Sequence, residues 1–431
     1  MSRTVRKQLF STIDLLEGAH KVLEKALLKN SVNEPEIMKL LADSQEAAIQ
    51  VGTTIESLYG EGTSTVKELE LFCESLYQLT LALQDPSARR GQVKELKQQL
   101  GRIRRQLGRD VPDRLEVVFL PYKASMWDSL ESVWKAAGED EEADVYVIPI
   151  PYYDRKPDLS FGEVHHEGEL FPDEVEVTDY GSYNFELRRP DMVFIHNPYD
   201  DGNYVTSVHP YFYSENLKKF TEKLVYIPYF VCAGESVPEG MALAKGVWNA
   251  DYVIVQNESE KEQYIQHFKK HFPQVDISSK LLPLGSPKFD KVRAASQGDV
   301  EVPKEWRRKA EGKKVILYNT SLGGMLNESE AYLGKLERVF HFFAKREDAV
   351  LLWRPHPLME ATFSSMRPEL YERYKRVKKW FIENGNGIYD DGPDMYPAMG
   401  FSDAYYGDWS SLVRLYQETG KPVMVQDIEV E

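Results

Sequence analysis

The chain has 431 residues, a formal net charge of −16, and 42% hydrophobic with 12% aromatic residues. That length exceeds one ordinary core and predicts two or three domains; the hydrophobic content excludes a disordered chain, and the acidity excludes a general nucleic-acid binder, whose surface must neutralise phosphates. The charge is uneven, because residues 1–110 carry 16 Lys/Arg against 15 Asp/Glu and leave 37 against 54 for the remainder.

In chain order, Val5, Leu9, Ile13, Leu16, Leu23 and Leu27 recur at three-and-four spacing, as do Val66, Leu69, Phe72, Leu76 and Leu83, then Val93, Leu96, Leu100, Ile103 and Leu107. Such stripes predict a helical bundle or coiled-coil region over 1–110. The third stripe lies among Arg89, Arg90, Lys94, Lys97, Arg102, Arg104, Arg105 and Arg109. Residues 89–109 therefore read either as the solvated face of a bundle helix or as a surface for a partner or an anionic membrane.

After Asp110 the pattern changes to short β-rich runs at 115–122, 145–153, 192–196, 224–231, 252–256 and 281–285, alternating with helical stretches. This predicts an α/β domain with a parallel sheet over 111–295. A polar stretch at 295–306 precedes a second series at 314–319, 350–357, 387–391, 404–407 and 422–426, which predicts a second α/β domain over 296–431. The chain as given stops just after the last of these strands, at Glu431. Ligands of such sheets bind outside the carboxyl ends of the strands, so chemistry is sought there.

Three strand ends stand out. The run 315–319 ends in Asn319, Thr320 and Ser321, followed by two glycines that let backbone amides approach a phosphate. The run 351–355 ends in Arg354-Pro355-His356-Pro357, where Arg354 is expected to fork onto phosphate oxygens and His356 to donate to a bridging or leaving oxygen. After 404–407, Asp408 precedes Ser410-Ser411, which open a helix over about 412–418; these residues read as an anion site, as helix caps, or both.

Cys73 and Cys232 are too few for a disulfide framework and suit a reducing compartment. No apolar run approaches the ~20 residues of a membrane span, and the first 30 residues lack a signal-peptide core. The expected location is cytoplasmic, extending to the inner face of the membrane if 89–109 docks there. His165-His166 lies in an acidic insertion without paired ligand spacing, so no metal and no cofactor is expected.

In order and spacing, Tyr318-Asn319-Thr320-Ser321, Arg354-Pro355-His356-Pro357, Ser402-Asp403, Gly407-Asp408-Trp409-Ser410-Ser411 and Gly420-Lys421-Pro422 resemble the CDP-glycerol glycerophosphotransferases of teichoic-acid synthesis. Gly285-Ser286-Pro287-Lys288-Phe289-Asp290 resembles that family's element between domains, and the resemblance spans about 220–427. It implies a GT-B-like pair of Rossmann-type domains, with 111–295 on the acceptor side and 296–431 binding the nucleotide donor. It further implies that Arg354, His356, Ser410 and Ser411 bind the donor pyrophosphate, with Asn319, Thr320, Ser321 and Asp408 beside it and 391–395 near the base or ribose, without a metal.

The implied reaction moves glycerol phosphate, or a related polyol phosphate, from a CDP-activated donor to a hydroxyl of a glycan or lipid-linked acceptor in surface-polymer or glycan synthesis. The family's Trp-His-Gly-Thr element is replaced here by Tyr226-Ile227-Pro228-Tyr229-Phe230. The expected catalytic base is therefore His209, with His196 orienting substrate. Tyr199, Tyr204, Tyr211, Tyr213, Tyr226 and Tyr229 read either as a polyol or sugar subsite or as core. A nucleotide-sugar glycosyltransferase and a non-catalytic scaffold remain alternatives.

Overall fold

The computed structural model describes residues 1–27, 33–232, 236–384 and 386–426. Four antiparallel helices come first among them: α1 (Arg3–Leu27), α2 (Glu34–Tyr59), α3 (Ser64–Leu81) and α4 (Pro86–Asp110). Their apolar stripes meet in one core that includes Ile13, Ile55, Leu79, Ile103 and Leu107. Helix α2 escapes the periodicity because its buried face is diluted by Ser44, Ala48 and Gly52. Asp85 accepts from the amides of Ser87 and Ala88 at the start of α4, where Pro86 supplies a fixed φ.

Among the described residues the bundle is rooted in the α/β body at the end where α1 begins and α4 ends. The amide of Arg3 donates to Asp191 at 3.1 Å and the Met1 amino group pairs with Glu116. Since α1 starts and α4 ends at this root, helices of 25 residues carry their other ends about 35 Å away.

The body begins with strands β1 (Leu115–Leu120), β2 (Ala143–Val147), β3 (Tyr152–Arg155), β4 (Phe161–His165), β5 (Met192–Ile195), β6 (Thr206–Val208), β7 (Lys223–Tyr226), β8 (Tyr252–Val255) and β9 (Leu281–Pro283). Six of them form a parallel sheet of order β2-β1-β5-β7-β8-β9, while β3, β4 and β6 form a small antiparallel sheet. The single run expected at 145–153 is thus two strands, because Pro149 and Pro151 lack the amide donors a continuous ladder needs.

A second parallel sheet, of order β12-β11-β10-β13-β14, is built from β10 (Lys314–Thr320), β11 (Ala349–Pro355), β12 (Ile388–Tyr389), β13 (Ala404–Gly407) and β14 (Val423–Val425). Both its faces are covered: Val315 and Leu317 pack on one side, Tyr318, Leu351 and Trp353 on the other. Continuous apolar runs are what a sheet buried on both faces requires. The helix Pro287–Ser296 joins the bodies, packing on the turn Ala124–Ser129 and on the helix Tyr396–Phe401. That packing is close: a Cβ at Gly400 would lie 2.4 Å from the carbonyl oxygen of Ala295. The architecture is a GT-B-like pair of α/β domains preceded by a helical bundle.

Candidate functional site

Strand order reverses beside β10 in the second sheet and beside β1 in the first, and a crevice opens at such switch points. At the second, a cleft of about 520 Å³ lies between the domains. Its walls include Asn319, Ser321, Arg354, His356, Ser410 and Ser411 from the second domain, Ser125, Trp127 and Asp128 from the first, and Lys288 and Lys291 from the joining helix. Six of the ten residues picked out from sequence are therefore brought together.

Asn319 ties three strand ends into one rim, its Nδ2 donating to the Arg354 carbonyl at 3.0 Å and its Oδ1 accepting from Ser410 Oγ at 3.1 Å. Gly407, at φ 155°, makes this possible, since a Cβ there would sit 2.2 Å from the Asn319 carbonyl oxygen. Ser410 also caps its helix, accepting from the Leu412 amide at 3.2 Å. Capping and rim formation coexist at that hydroxyl.

His356 is fixed by its amide, which donates to Thr320 at 3.0 Å, and by Nδ1, which accepts from the Leu358 amide at 3.1 Å. With Nδ1 an acceptor, the neutral ring carries its proton on Nε2. Burial lowers the His356 pKa from the ordinary value, so at neutral pH the ring is an uncharged donor.

The structure corrects the role expected of Arg354. Its guanidinium pairs with Asp390 and donates to the carbonyls of Asp394 at 3.1 Å and Gly392 at 2.7 Å. The fork is spent on holding the loop 390–394 against the strand end. Burial pushes the Asp390 carboxyl up, opposed by the Arg354 charge.

Thr320 and Asp408, expected beside the donor, do not line the cleft. Thr320 is fully buried and accepts from Trp353 Nε1 at 3.1 Å. Asp408 accepts from the Ser321 amide at 2.7 Å and pairs with Lys335 at 2.7 Å, both side chains being buried. The two residues shape the Ser321 turn from beneath. Lys335 was not singled out from sequence, although a lysine among Tyr332, Leu333, Leu336 and Val339 on one helix face was a readable signal.

Neither acceptor-side histidine reaches the cleft. His196 is fully buried; Nε2 accepts from the Tyr122 amide at 3.1 Å and Nδ1 meets Ser129 Oγ at 2.9 Å. Burial drives its pKa down to about 3, so it is a neutral brace on the loop after β1, not a group that touches substrate. His209 caps the short turn Pro210–Phe212, its Nδ1 accepting from the Tyr211 amide at 3.2 Å, and its ring lies against Tyr153 and Phe212. Among the aromatic group, Tyr226 is fully buried and Tyr199 packs against the same core, while Tyr204 is exposed.

What faces the cleft from the first domain was missed. Asp128 accepts from Lys288 Nζ and from Tyr396 Oη at 2.6 Å, and Lys291 pairs with Glu131 at 2.7 Å while lying over the Tyr396 ring. These residues come from three parts of the chain, and only Lys288 lay inside a quoted motif. The turn carrying Asp128 is held further by Glu167, which accepts from the Ala124 amide at 2.8 Å and from Tyr152 Oη at 2.6 Å.

Away from the cleft, Asp154, Glu163 and His165 bring one ligand atom each within 4.8 Å of one another on β3 and β4, whereas His166 turns to the Pro149 carbonyl at 3.1 Å. Both cysteines are free thiols. Among the described residues no helix is long and apolar enough to cross a membrane.

A family model described as CDP-glycerol:poly(glycerophosphate) glycerophosphotransferase matches residues 234–431. No curated protein sequence matches the chain. Among solved structures, a variant of the wall teichoic acid polymerase TagF soaked with CDPG is 15% identical at a TM-score of 0.39, over 84% of this chain and 80% of that one. The UDP-GlcNAc 2-epimerase from Neisseria meningitidis bound to UDP-GlcNAc is 11% identical at a TM-score of 0.44, over 72% and 82%. Residues 234–431, a little under half of the chain, are thus similar to the CDP-glycerol:poly(glycerophosphate) glycerophosphotransferase family.

Proposed function

We propose that the chain transfers glycerol phosphate, or a related polyol phosphate, from a CDP-activated donor to an acceptor hydroxyl. The observation that carries this reading is the interdomain cleft, where the family-matched half places His356, Ser410, Ser411, Asn319 and Ser321 around one space opposite Lys288 and Lys291. In this reading the pyrophosphate lies against those groups. The cytidine lies toward 391–395, where Asp394 and Met395 line the cleft and Asp391 lines an adjoining cavity of about 190 Å³.

The acceptor oxygen attacks the phosphorus that bears the glycerol. A new P–O bond forms, the anhydride P–O bond breaks, CMP leaves with the bridging oxygen, and the proton lost from the acceptor hydroxyl passes to solvent. Neutral His356 donates Nε2–H to that oxygen as charge builds on it. Positioning and fixed charge supply most of the acceleration in a loose phosphoryl-transfer transition state, which asks little of the base. Asp128 is the ionisable side chain that the first α/β domain contributes to the described cleft lining, and it replaces the two histidines as the acceptor-side group.

The setting that fits this chemistry is cytoplasmic, with residues 89–109 against the inner face of the membrane and a lipid-linked or glycan hydroxyl as acceptor. Release of CMP from CDP-glycerol tests the assignment. Wild-type turnover that falls at least about a hundredfold in His356→Ala supports it, and turnover indifferent to that change sinks it. A thermal-shift series with CDP-glycerol, CDP-ribitol and UDP-sugars separates polyol phosphate transfer from sugar transfer, because only the bound donor stabilises the fold.

A further inference from the structure

We propose that the far end of the helical bundle holds a second anion site, built by the first turns of α4, that takes the phosphate groups of a polyol-phosphate chain or headgroup. A cavity of about 340 Å³ lies there between α1 and α4, and Arg89, Arg90, Lys94 and Lys97 line it with Glu24 as the single acid. Leu27 and Val93 give it an apolar floor. Four cations converge on one concave space in a protein whose net charge is −16, and a concave low-dielectric wall concentrates their field.

The same helix shows how such charges are treated when they are only structural. Arg102 pairs with Glu68 at 2.9 Å and Glu95 at 3.2 Å, and Arg104 pairs with Glu17 at 2.9 Å and with Asp14. By contrast, Arg90, Lys94 and Lys97 have no ion-pair partner among the described residues, and Arg89 Nε is buried without a hydrogen-bond partner. One turn before Glu24, His20 is 6% exposed and neither ring nitrogen has a partner. Arg105 and Arg109 of α4 also have no ion-pair partner among the described residues, and Arg89 Nη1 donates to the Leu83 carbonyl at 3.3 Å; what sets Arg89, Arg90, Lys94 and Lys97 apart is that they converge on one concave space.

The charge count selects the ligand class. Several like charges held around one cavity repel unless the occupant carries more than one negative charge, and Arg and Lys together suit phosphate oxygens. Lys94 lies sixteen positions before Asp110 at the root of α4, which puts the site about 24 Å from the α/β body. It is therefore separate from the cleft between the domains, while the choice of a polyol phosphate as occupant rests on the proposed function.

Binding of tripolyphosphate by calorimetry and of phosphatidylglycerol vesicles by sedimentation, both with the full chain, tests the site. The pair Lys94→Gln/Lys97→Gln is compared with Arg105→Gln/Arg109→Gln, which removes equal charge from exposed positions of the same helix outside the cavity. Loss of about tenfold in affinity in the first pair, with less than about twofold in the second, is expected from removing two charge-assisted contacts. If that difference is seen with the soluble probe the site takes a free phosphate-bearing chain, and if only with vesicles it takes a lipid headgroup. Equal losses in the two pairs, or none in either, overturn the proposal.

Discussion

Lys288 Nζ lies 2.6 Å from each carboxylate oxygen of Asp128, and both residues are only 8% exposed. One stands in the turn after β1 and the other opens the helix that leads to the second sheet, so this ion pair, with Tyr396 Oη as its third member, locks the domains across the floor of the cleft. Removing one partner leaves a buried charge uncompensated, at about 3–5 kcal/mol. Lys288→Met is expected to lower the thermal midpoint sharply, and Asp128→Leu/Lys288→Met to recover part of the loss. Strict additivity of the two single changes would show that the pair does not act as a unit.

His356 gives a pH prediction. Burial lowers its folded pKa, so the uncharged form persists somewhat below the ordinary value of about 6.5 and is lost as pH falls through the lowered one. Donor turnover is expected to hold across neutrality and to decline on the acid side, where Nδ1 takes a proton and can no longer accept from the Leu358 amide that orients the ring. His356→Gln, which keeps a donor but cannot titrate, should be slower and lack that limb. An acid limb unchanged in the variant would assign it to another group.

Arg354 holds the loop 390–394, its guanidinium bound to Asp390 and to the Gly392 and Asp394 carbonyls, and two variants separate this role from direct contact with phosphate. Asp390→Ala should reproduce much of the damage of Arg354→Lys, raising the donor KM and increasing amide exchange at 390–394, because either change releases the same loop. Were Arg354 a direct phosphate ligand, Asp390→Ala would leave donor affinity intact or improve it by freeing the guanidinium.

Most of the fold could be read from the sequence because each element carries its own period. Alternating apolar runs and helical stripes located both sheets and three of the four bundle helices, and Ser44, Ala48 and Gly52 hid the fourth. The rim of the cleft was legible for a related reason. Residues at the carboxyl end of a strand beside a switch point must face the crevice, which held for Asn319, Arg354 and Ser410. Orientation within a turn is not encoded so locally: Thr320 and Asp408 point under the sheet edge toward Trp353 and Lys335. The clamp could not be read at all, because Asp128, Lys288 and Tyr396 are brought together only by docking of the two domains.

His196 shows what its strand-end position does instead of catalysis. In the folded chain its pKa is about 3 because burial penalises the charged ring, whereas an unfolded histidine titrates near 6.5. Between those values the unfolded chain binds a proton that the native chain does not, so stability is full above about pH 6.5 and falls as the pH drops through that window. Over the first two units the loss is about 2–3 kcal/mol. In His196→Gln, an amide that can still accept from Tyr122 and donate to Ser129 does not titrate. The variant should start somewhat less stable near neutrality and lose less on acidification, read as thermal midpoints at about pH 7.5 and about pH 5. Equal acid sensitivity in the two proteins would mean that other groups, such as the buried carboxylates, set the acid limit, and that the brace on the loop after β1 contributes none of it.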